Sequence, residues 1–400
     1  MPETKASENA SGEKQVILWQ NSWYPSTVDI YTGDFQQRHA RAASIYNSIV
    51  SVFVVKRAQE MDEEVVENHD GSLHEYIVYY KEKFRSGTVL SRLASAQSYI
   101  AAHRRILRHI VKTFGKPALI QVGVAWKAGL VALALKKLKG WKYIVMEHWG
   151  GYSRALTENI YTVPAHQRYL TKSILNNAEA VIAVSQDQAD QINAFNKNTK
   201  CTIVPNVVDT HLFSPVENKR RKIIRLVHSS MLDEVKNIML IVEAVRQLSV
   251  MRNDFEFYII GPQNAEVETF LKRHDLLGKR AFITGLQDYA GVARQLKQAD
   301  IMIHFSSYEA LPCVVLEALC SGVAVISSAV GGIPEVITES NGRLVPKLDL
   351  PAFIAAINEV INNLEKFDRY DMAKKSAALY SYETVGKTFS GIYRDITGKL

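Results

Sequence analysis

The sequence predicts an α/β protein built from two doubly wound domains, each with a parallel sheet. Short apolar runs alternate with helical segments of ten or more residues along most of the chain, which is typical of βαβ units. Its 400 residues suit two domains at about 100–200 residues per domain. Residues 205–222 hold two prolines and the charge run NKRRK, so we place the domain boundary there.

Strands in the first half are predicted from short apolar or β-branched runs, of which SVFVVK at 51–56 is the clearest. The expected strands are 15–18, 51–56, 73–80, 117–122, 143–146, 180–184 and 201–204. Helical periodicity between them predicts helices at 33–50, 91–114, 127–139, 161–177 and a short one beginning at Ser185.

The second half repeats this alternation. Its expected strands are mainly apolar, which suits a parallel sheet covered on both faces. They are 223–228, 255–260, 281–284, 300–305 and 323–327. Helices are expected at about 236–251, 264–275, 288–298, 313–320, 332–338 and 350–364. Because ligands of doubly wound domains bind at the carboxyl ends of the strands, we expect a site in the cleft between the two sheets.

The composition excludes several classes of protein. With 47% apolar and 22% charged residues, the chain is not disordered, collagen-like or of low complexity. Three cysteines are too few for a disulfide framework and indicate a reducing compartment. Residues 1–13 are expected to be a polar, disordered tail without the apolar region of a secretory signal. The apolar stretch 313–330 is interrupted by Ser321 and Gly322, so it favours a buried helix, turn and strand over a span of ~20 residues.

The net charge of +7 belongs entirely to the first half. Residues 1–205 hold 25 Lys/Arg against 18 Asp/Glu, whereas residues 206–400 hold 23 of each. The segment 76–145 carries 14 basic residues and one acid, and all five tryptophans precede residue 150. Its stretch 103–116 (HRRILRHIVKTFGK) has an apolar face, expected to pack on the sheet, and a basic face. Such a face attracts anionic lipid, so we expect a cytoplasmic protein that contacts the inner membrane surface. Nucleic acid is attracted by the same charge, but no recognition motif supports it as a partner.

The segment 304–337 carries the most chemical information. Pro312 begins an apolar helix, where its missing N–H costs nothing, and the free amides of that first turn suit phosphate oxygens. The turn consists of Leu311, Pro312, Cys313 and Val314. Glu317 lies inside the helix, eight residues after Glu309, and an acid there is costly without a partner such as a ribose diol. On spacing alone, a helix cap at Glu309 and an exposed acid at Glu317 explain the two residues equally well.

The same segment resembles the donor-binding signature of family-4 retaining glycosyltransferases (glycosyl transferases group 1). Their fold is GT-B, in which two Rossmann-like doubly wound domains face each other across a cleft. The signature E-G-x-P-x-x-x-x-E-A-x-A-x-G appears as EALPCVVLEALCSG at 309–322, with Ala310 and Cys320 as small departures. The turn GGIPE at 331–335 and the element NGRLVP at 341–346 follow in the family's order. The resemblance therefore implies a GT-B fold with a donor domain at 206–381.

The resemblance also implies roles for individual residues of the donor domain. Glu309 would contact the transferring sugar as a catalytic residue, and Glu317 would bind the ribose of the nucleotide. The loop SSMLDEVKN at 229–237 resembles the family's loop that ends in Lys followed by Gly or Asn, so Lys236 would bind the donor diphosphate. The family often has Arg five residues earlier, where this chain has Met231.

Further implied roles fall on both domains. The hydroxyls of Ser229 and Ser230 would partly substitute for the missing arginine. In the acceptor-side domain, 14–205, Gly33 would let the backbone approach the donor phosphates. The segment EHWGGY at 147–152 resembles the family's E-H-x-S-G-like element, so His148 would point into the cleft as a second catalytic residue. The helix at 382–400 would pack back on the first domain.

The implied reaction moves a hexose-type sugar from a nucleotide-diphosphate sugar to an acceptor hydroxyl with retention of configuration. The acceptor would be a sugar or a lipid-linked molecule in cell-surface polysaccharide or glycolipid biosynthesis. No metal or other cofactor is expected, because Lys236 and the helix-terminal amides would stabilise the leaving group. The alternatives are another GT-B enzyme, such as a sugar-nucleotide epimerase or a phosphorylase, and a non-catalytic nucleotide-sugar-binding relative. A dinucleotide oxidoreductase is disfavoured, since no G-x-G-x-x-G follows a strand.

Overall fold

The computed structural model describes residues 16–57, 64–81, 89–197, 199–217 and 222–398. These residues form two α/β units, each with a single sheet. The expected tail at 1–13 and most of the charge run at 218–222 lie outside the described residues.

The first sheet has eight strands in the order β3-β4-β2-β1-β5-β6-β7-β8. They are β1 (Val16–Asn21), β2 (Ser48–Arg57), β3 (Glu64–Asp70), β4 (Leu73–Lys81), β5 (Leu119–Gly123), β6 (Tyr143–Met146), β7 (Val181–Ala183) and β8 (Cys201–Ile203). All pairs are parallel except β3 with β4. Its helices are α1 (Asp34–Ser44), α2 (Val89–Phe114), α3 (Ala128–Lys139), α4 (Ala165–Asn177) and α5 (Gln186–Phe195).

The second sheet has six parallel strands in the order β11-β10-β9-β12-β13-β14. They are β9 (Ile224–Ser229), β10 (Phe255–Ile260), β11 (Ala281–Gly285), β12 (Ile301–His304), β13 (Ala324–Ser328) and β14 (Gly342–Val345). The helices are α6 (Ile238–Met251), α7 (Ala265–Arg273), α8 (Tyr289–Gln298), α9 (Cys313–Cys320), α10 (Leu350–Asn362), α11 (Arg369–Tyr380) and α12 (Tyr382–Thr397). Two doubly wound parallel-sheet units confirm the predicted fold class.

Both faces of each sheet are covered by helices. Along β1, Ile17 and Trp19 belong to one buried cluster and Leu18 to another on the opposite face, as the two-residue period of a strand requires. In each sheet the first strand is flanked by strands that wind in opposite directions, so the switch points lie beside β1 and β9. Crevices at the carboxyl ends of the strands are therefore expected at these two positions.

Several elements differ from the sequence prediction. The helix predicted at 33–50 is confirmed only as far as Ser44, where α1 ends. Residues 48–50 instead begin strand β2, together with the β-branched run 51–56. Strand β3 was not predicted, because its residues are nearly all exposed and show little alternation between buried and exposed positions. It forms an antiparallel hairpin with β4 through the Gly71 turn. The predicted helix 332–338 is only a 3-10 turn at Ile333–Glu335.

The last helix, α12, leaves the second unit and packs against α1 and β1 of the first. Phe389 is fully buried and meets the ring of Trp19 at 5.7 Å between centroids. The Tyr393 hydroxyl donates to Oε1 of the buried Gln121 at 2.5 Å. Gly386 lies so close to the carbonyl of Ala42 that an added Cβ would stand 2.1 Å from it. This crossing ties the two units together beside the cleft.

Helix α2 separates an apolar face from a basic one. Ile106, Leu107 and Ile110 are buried, whereas Arg104 and Arg108 are exposed. In the part of the chain that the structure describes, no helix is long and apolar enough to cross a membrane.

Candidate active site in the interdomain cleft

A cavity of about 660 Å³ lies between the carboxyl ends of the two sheets. Its volume is within the range of about 300–1,000 Å³ that small-molecule sites usually have. Of the residues implicated by sequence, all but Gly33 line it: His148, Ser229, Ser230, Lys236, Glu309, Leu311, Pro312, Cys313, Val314 and Glu317. The fold thus gathers side chains from both units around one space large enough for a nucleotide sugar.

Glu309 is the centre of a dense hydrogen-bond cluster on the wall that the second unit contributes. Its Oε1 pairs with the Lys236 ammonium at 2.5 Å, accepts from the Ser306 hydroxyl at 2.8 Å and lies 3.1 Å from His304 Nε2. Burial by itself would raise the pKa of Glu309, but Lys236 and His304 outweigh it and hold the pKa well below its usual range. The carboxylate is therefore ionised and fixed in position.

The two loops that carry this pair are joined to each other. Lys236 ends a 3-10 turn, and Asn237 follows it in the left-handed region with φ 51°. The Asn237 side-chain amide donates to the Phe305 carbonyl at 2.8 Å and to the Ser307 hydroxyl at 2.9 Å. Because the loops are cross-linked in this way, the ammonium and the carboxylate are held together before any ligand binds.

The second signature carboxylate, Glu317, has a partner from the opposite unit. Arg38 on α1 donates through one guanidinium nitrogen to Glu317 Oε1 at 2.7 Å and to the Tyr289 hydroxyl at 2.9 Å. Its other terminal nitrogen pairs with Asp34 at 2.9 Å, while its Nε has no hydrogen-bond partner. Burial raises the pKa of Glu317, and Arg38 opposes that shift. The cost of placing an acid in an apolar helix is thus offset by a buried cation.

The N-terminus of α9 lies between these two ion pairs. Pro312 occupies the N-cap position, and no side chain caps the helix, so its first amides are available to a ligand. The turn before it is fixed by Asn206, which donates to the Leu311 carbonyl at 2.7 Å, and by Ser185, which donates to the Ala310 carbonyl at 2.7 Å. An added Cβ on Gly331 would stand 1.7 Å from the Glu309 carbonyl, so this position requires glycine.

His148 lines the cavity from the first unit. Its ring lies 4.5 Å from that of Phe35 and 5.1 Å from that of His39, measured between centroids. Burial, together with the neighbouring His39 and Arg38, lowers the pKa of His148 well below its ordinary value. The imidazole is therefore neutral near neutral pH.

Gly33 is placed differently from the expectation. It is not among the residues that line the cavity; it precedes α1 with φ 81°, and an added Cβ would stand 2.4 Å from the Trp23 backbone. This close packing and the positive φ are sufficient to require glycine at position 33. Of the two serines, Ser230 hydrogen-bonds His228 Nε2 at 2.8 Å and accepts from the Leu232 amide.

Three residues of the site escaped the sequence analysis. Arg38 lies inside the helix predicted at 33–50, and its partner Glu317 is 279 positions away. His304 ends a strand and resembles a structural core residue. Tyr289 contacts Arg38 from α8 through its hydroxyl and through its ring face, whose centroid lies 4.6 Å from the guanidinium carbon. Only the folded arrangement reveals that each signature carboxylate has its own cation.

The described residues contain no group of three or more His, Cys, Asp or Glu side chains arranged to hold a metal ion. Within that part of the chain, the positive charge on the cavity wall comes from Lys236 and Arg38.

Comparisons with known proteins agree with this architecture. Residues 209–377 match the family model "Glycosyl transferases group 1", and residues 50–212 match "Glycosyltransferase Family 4". A phosphatidylinositol N-acetylglucosaminyltransferase component of Arabidopsis thaliana is 28% identical over 197 residues, which is 48% of this chain and 44% of that protein. Alpha-D-kanosaminyltransferase of Streptomyces kanamyceticus is 26% identical over 166 residues, 40% of this chain and 43% of its own. The matched regions thus cover about half of these relatives or less.

Solved structures show the same fold at low identity. Sucrose-phosphate synthase from Thermosynechococcus elongatus superposes with a TM-score of 0.76 at 19% identity, covering 96% of this chain and all of that one. HepE from Anabaena, solved in complex with UDP, gives a TM-score of 0.70 at 14% identity and covers 95% of this chain and 100% of that one. With adjoining family models that together span residues 50–377 and the GT-B arrangement of its sheets, the chain belongs to the group 1, family 4 glycosyltransferases.

Proposed function

We propose that this glycosyltransferase moves a hexose-type sugar from a nucleotide-diphosphate sugar to an acceptor hydroxyl with retention of configuration. The observation that carries the proposal is the arrangement on the donor-side wall. Two carboxylates, Glu309 and Glu317, each hold a cation, and the uncapped N-terminus of α9 lies between them. Such a wall offers donors for a diphosphate and acceptors for sugar and ribose hydroxyls.

The diphosphate leaving group would lie against α9. Its developing charge would be stabilised by the Lys236 ammonium and by the amides of Cys313 and Val314. Arg38, whose guanidinium lies next to this turn, is a second cation within the same cavity. These fixed groups support the proposal that no metal ion is required for departure of the leaving group.

Glu317 would accept hydrogen bonds from the ribose hydroxyls. Its Oε1 already accepts a hydrogen bond from Arg38, so a ribose would share or displace that contact. A nucleotide that takes Glu317 releases the guanidinium toward the neighbouring phosphates.

Glu309 would act on the transferring sugar by hydrogen bonding and by its charge. Three donors on one of its oxygens make this carboxylate a weak nucleophile, because they stabilise its anionic form. We therefore assign no covalent intermediate to it. Neutral His148, on the opposite wall, would contact the sugar or the incoming acceptor hydroxyl.

The acceptor would be a sugar or a lipid-linked molecule presented at an anionic membrane surface. Two matched relatives bear names that point to such chemistry: the phosphatidylinositol N-acetylglucosaminyltransferase component of Arabidopsis thaliana and a glycosyltransferase of amylovoran biosynthesis from Erwinia amylovora. The exposed basic face of α2, with Arg104, Arg108 and Lys112, supports a location at the cytoplasmic face of a membrane, because each such residue adds about 1 kcal/mol near anionic lipid.

A panel of nucleotide sugars tests the proposal in two steps. Thermal-shift measurements identify the donors that stabilise the protein, and product NMR then reports the anomeric configuration of the transferred sugar. We expect one or a few donors to bind, and transfer with retention in the presence of a chelator. Release of nucleoside diphosphate with an epimerised free sugar and no glycoside would instead identify an epimerase. Binding without any turnover would identify a non-catalytic relative.

A further inference from the structure

A second cavity, of about 170 Å³, opens at the carboxyl ends of β1, β5 and β6 in the first unit. This is the switch point beside β1, where crevices of doubly wound sheets bind ligands. Three tryptophans line it, Trp23, Trp126 and Trp149, together with the side chains of Glu147 and Thr171. We call it the tryptophan pocket.

Two buried polar atoms in the pocket have no hydrogen-bond partner of good geometry. Glu147 is 1% exposed, and its Oε1 accepts from the Ala125 amide and from the Tyr152 hydroxyl, both at 2.9 Å. Its Oε2 has no partner of good geometry, and neither does the hydroxyl of Thr171, which is 2% exposed. Since buried polar groups are nearly always hydrogen-bonded, this pair indicates a polar ligand or bound water.

The carboxyl of Glu147 suits an uncharged partner. Burial raises the pKa of Glu147 to about 7, although the backbone amides of Ala125, Trp149 and His148 and the Tyr152 hydroxyl oppose the shift. Near neutral pH a substantial fraction is therefore protonated, and a neutral carboxyl both donates and accepts. An anionic ligand would lie beside the ionised fraction and would be disfavoured.

The loop that presents Trp126 is held in a strained conformation. Val124 and Lys127 both have positive φ, at 66° and 73°, which is uncommon for residues other than glycine and asparagine. Ser22 fixes this loop by donating to the carbonyls of Val124 and Trp126 and by accepting from the Ala128 amide. Strain of this kind concentrates at ligand sites, and here it holds an indole against the pocket.

We propose that the tryptophan pocket binds one uncharged sugar or cyclic polyol ring, supplied by the acceptor. Indole faces pack against the C–H face of such a ring, while Glu147 and Thr171 form hydrogen bonds with its hydroxyls. The volume of about 170 Å³ exceeds the roughly 30 Å³ share of one water and is below the about 300 Å³ of drug-sized sites. A cavity volume between these two values suits a single sugar ring. The ring site stands on its own geometry, whereas its acceptor role rests on the function proposed above.

The pocket shares a wall with the donor cleft. Glu147 and Trp149 line the pocket, and His148 between them lines the cleft. On the adjoining strand end, the Trp23 ring of the pocket meets Phe35 of the cleft at 6.4 Å between centroids. A ring in the tryptophan pocket is therefore one layer of side chains from the cleft, so it would anchor a part of the acceptor other than the hydroxyl that attacks the sugar.

The test uses saturation-transfer-difference NMR on the full chain with methyl glycosides of glucose, mannose, galactose and N-acetylglucosamine, and with myo-inositol. We expect at least one probe to bind. Trp126→Ala should weaken it by about tenfold or more, and Thr171→Val, which removes only the hydroxyl, by about three- to tenfold. The matched control is Tyr169→Ala, an exposed aromatic (72%) on the same helix as Thr171 and outside the pocket.

Three outcomes overturn the proposal. One is that none of the probes binds the wild-type protein; another is that Trp126→Ala and Thr171→Val bind as the control does. The third is that saturating UDP and GDP abolish the probe signal, which would place the probe in the donor cleft. Failure of every nucleoside diphosphate to bind would contradict the proposed donor chemistry while leaving the ring site intact, so the two failures are distinguishable.

Discussion

Arg38 and Glu317 form a buried ion pair that joins the two domains across the cleft, with 2.7 Å between the guanidinium and the carboxylate. Their side chains are only 6% and 3% exposed. A buried pair of this kind is costly to break by removing one partner, because the other charge is left without compensation. The same pair occupies the carboxylate that we assign to the ribose, so closure of the domains and occupation of the donor site are coupled.

Removal of Arg38 alone should therefore destabilise the protein. We expect Arg38→Met to lower the free energy of unfolding by about 3–5 kcal/mol, since Glu317 then remains buried without a cation. Combining it with Glu317→Gln should restore part of the loss, because the residual charge is also removed. Urea denaturation of the single and double variants measures both effects.

Arg104→Met is the matched control for this change. Arg104 is exposed on α2, so the substitution should alter the unfolding free energy by less than about 0.5 kcal/mol. Equal losses in Arg38→Met and Arg104→Met would contradict the structural importance of the buried pair.

Glu309→Gln should abolish transfer while the protein still folds and binds nucleoside diphosphate. The amide keeps the shape of the side chain but removes the charge that faces the transferring sugar, and loss of such electrostatic stabilisation costs on the order of 100-fold or more in turnover. Turnover is measured as glycoside formed per minute, and nucleotide binding by calorimetry. Unchanged turnover would remove Glu309 from the proposed mechanism, and the exposed Glu339 supplies Glu339→Gln as a control.

Met231 offers a gain-of-affinity test of diphosphate binding. It lines the cleft and is 51% exposed, so an arginine there adds a cation without displacing a packed side chain. We expect Met231→Arg to tighten binding of a nucleoside diphosphate by about three- to tenfold, as a charge-assisted hydrogen bond predicts, and to leave the parent nucleoside unaffected.

The control for that variant is Met251→Arg, which places the same charge at an exposed position (58%) at the end of α6. Calorimetric titrations of both variants with nucleoside and nucleoside diphosphate separate a local effect from a general one. If Met251→Arg tightens binding equally, the gain reflects net charge and not the position of residue 231.

Local signals in the sequence predicted the fold and the placement of the two carboxylates that we propose to bind the donor. The signature at 309–322 is contiguous, so the positions of Glu309 and Glu317 on one loop and one helix followed from pattern alone. The role of Arg38 could not be predicted in this way, because it arises from a contact between the two units with a residue 279 positions away. The antiparallel hairpin of β3 was missed for a related reason: its exposed residues lack the apolar run by which buried strands are recognised.

The buried histidines predict a loss of stability in mild acid. Burial lowers the pKa of His39 and His103 to about 4 and that of His228 to about 3. Below the unfolded value near 6.5 the unfolded chain binds protons that the folded chain does not, so stability falls with decreasing pH until the folded pKa is reached. Each such histidine should cost about 2 kcal/mol between pH 6.5 and 5.

His103→Gln isolates one of these protons. The free energy of unfolding is measured between pH 7.5 and 5. With decreasing pH it should fall less steeply in this variant than in the wild type, because unfolding of the variant takes up one proton fewer. His166→Gln, at an exposed position, should retain the wild-type slope. Parallel curves for all three proteins would contradict this, because they would show that burial does not lower the pKa of His103 relative to the unfolded chain.

Reversal of the basic face of α2 tests the proposed contact with a membrane. The substitutions Arg104→Glu, Arg108→Glu and Lys112→Glu replace exposed cations, each of which attracts anionic lipid by about 1 kcal/mol. Together they should eliminate sedimentation with vesicles of phosphatidylcholine and phosphatidylserine in low salt, while turnover on a water-soluble acceptor is retained. A matched control replaces three exposed lysines of the second domain by glutamate: Lys347, Lys366 and Lys374. Two results would contradict a role for this face. One is that the wild type binds no vesicles at any salt concentration, and the other is that both triple variants lose binding equally. The second result counts because attraction by a localised basic patch depends on where the charge lies.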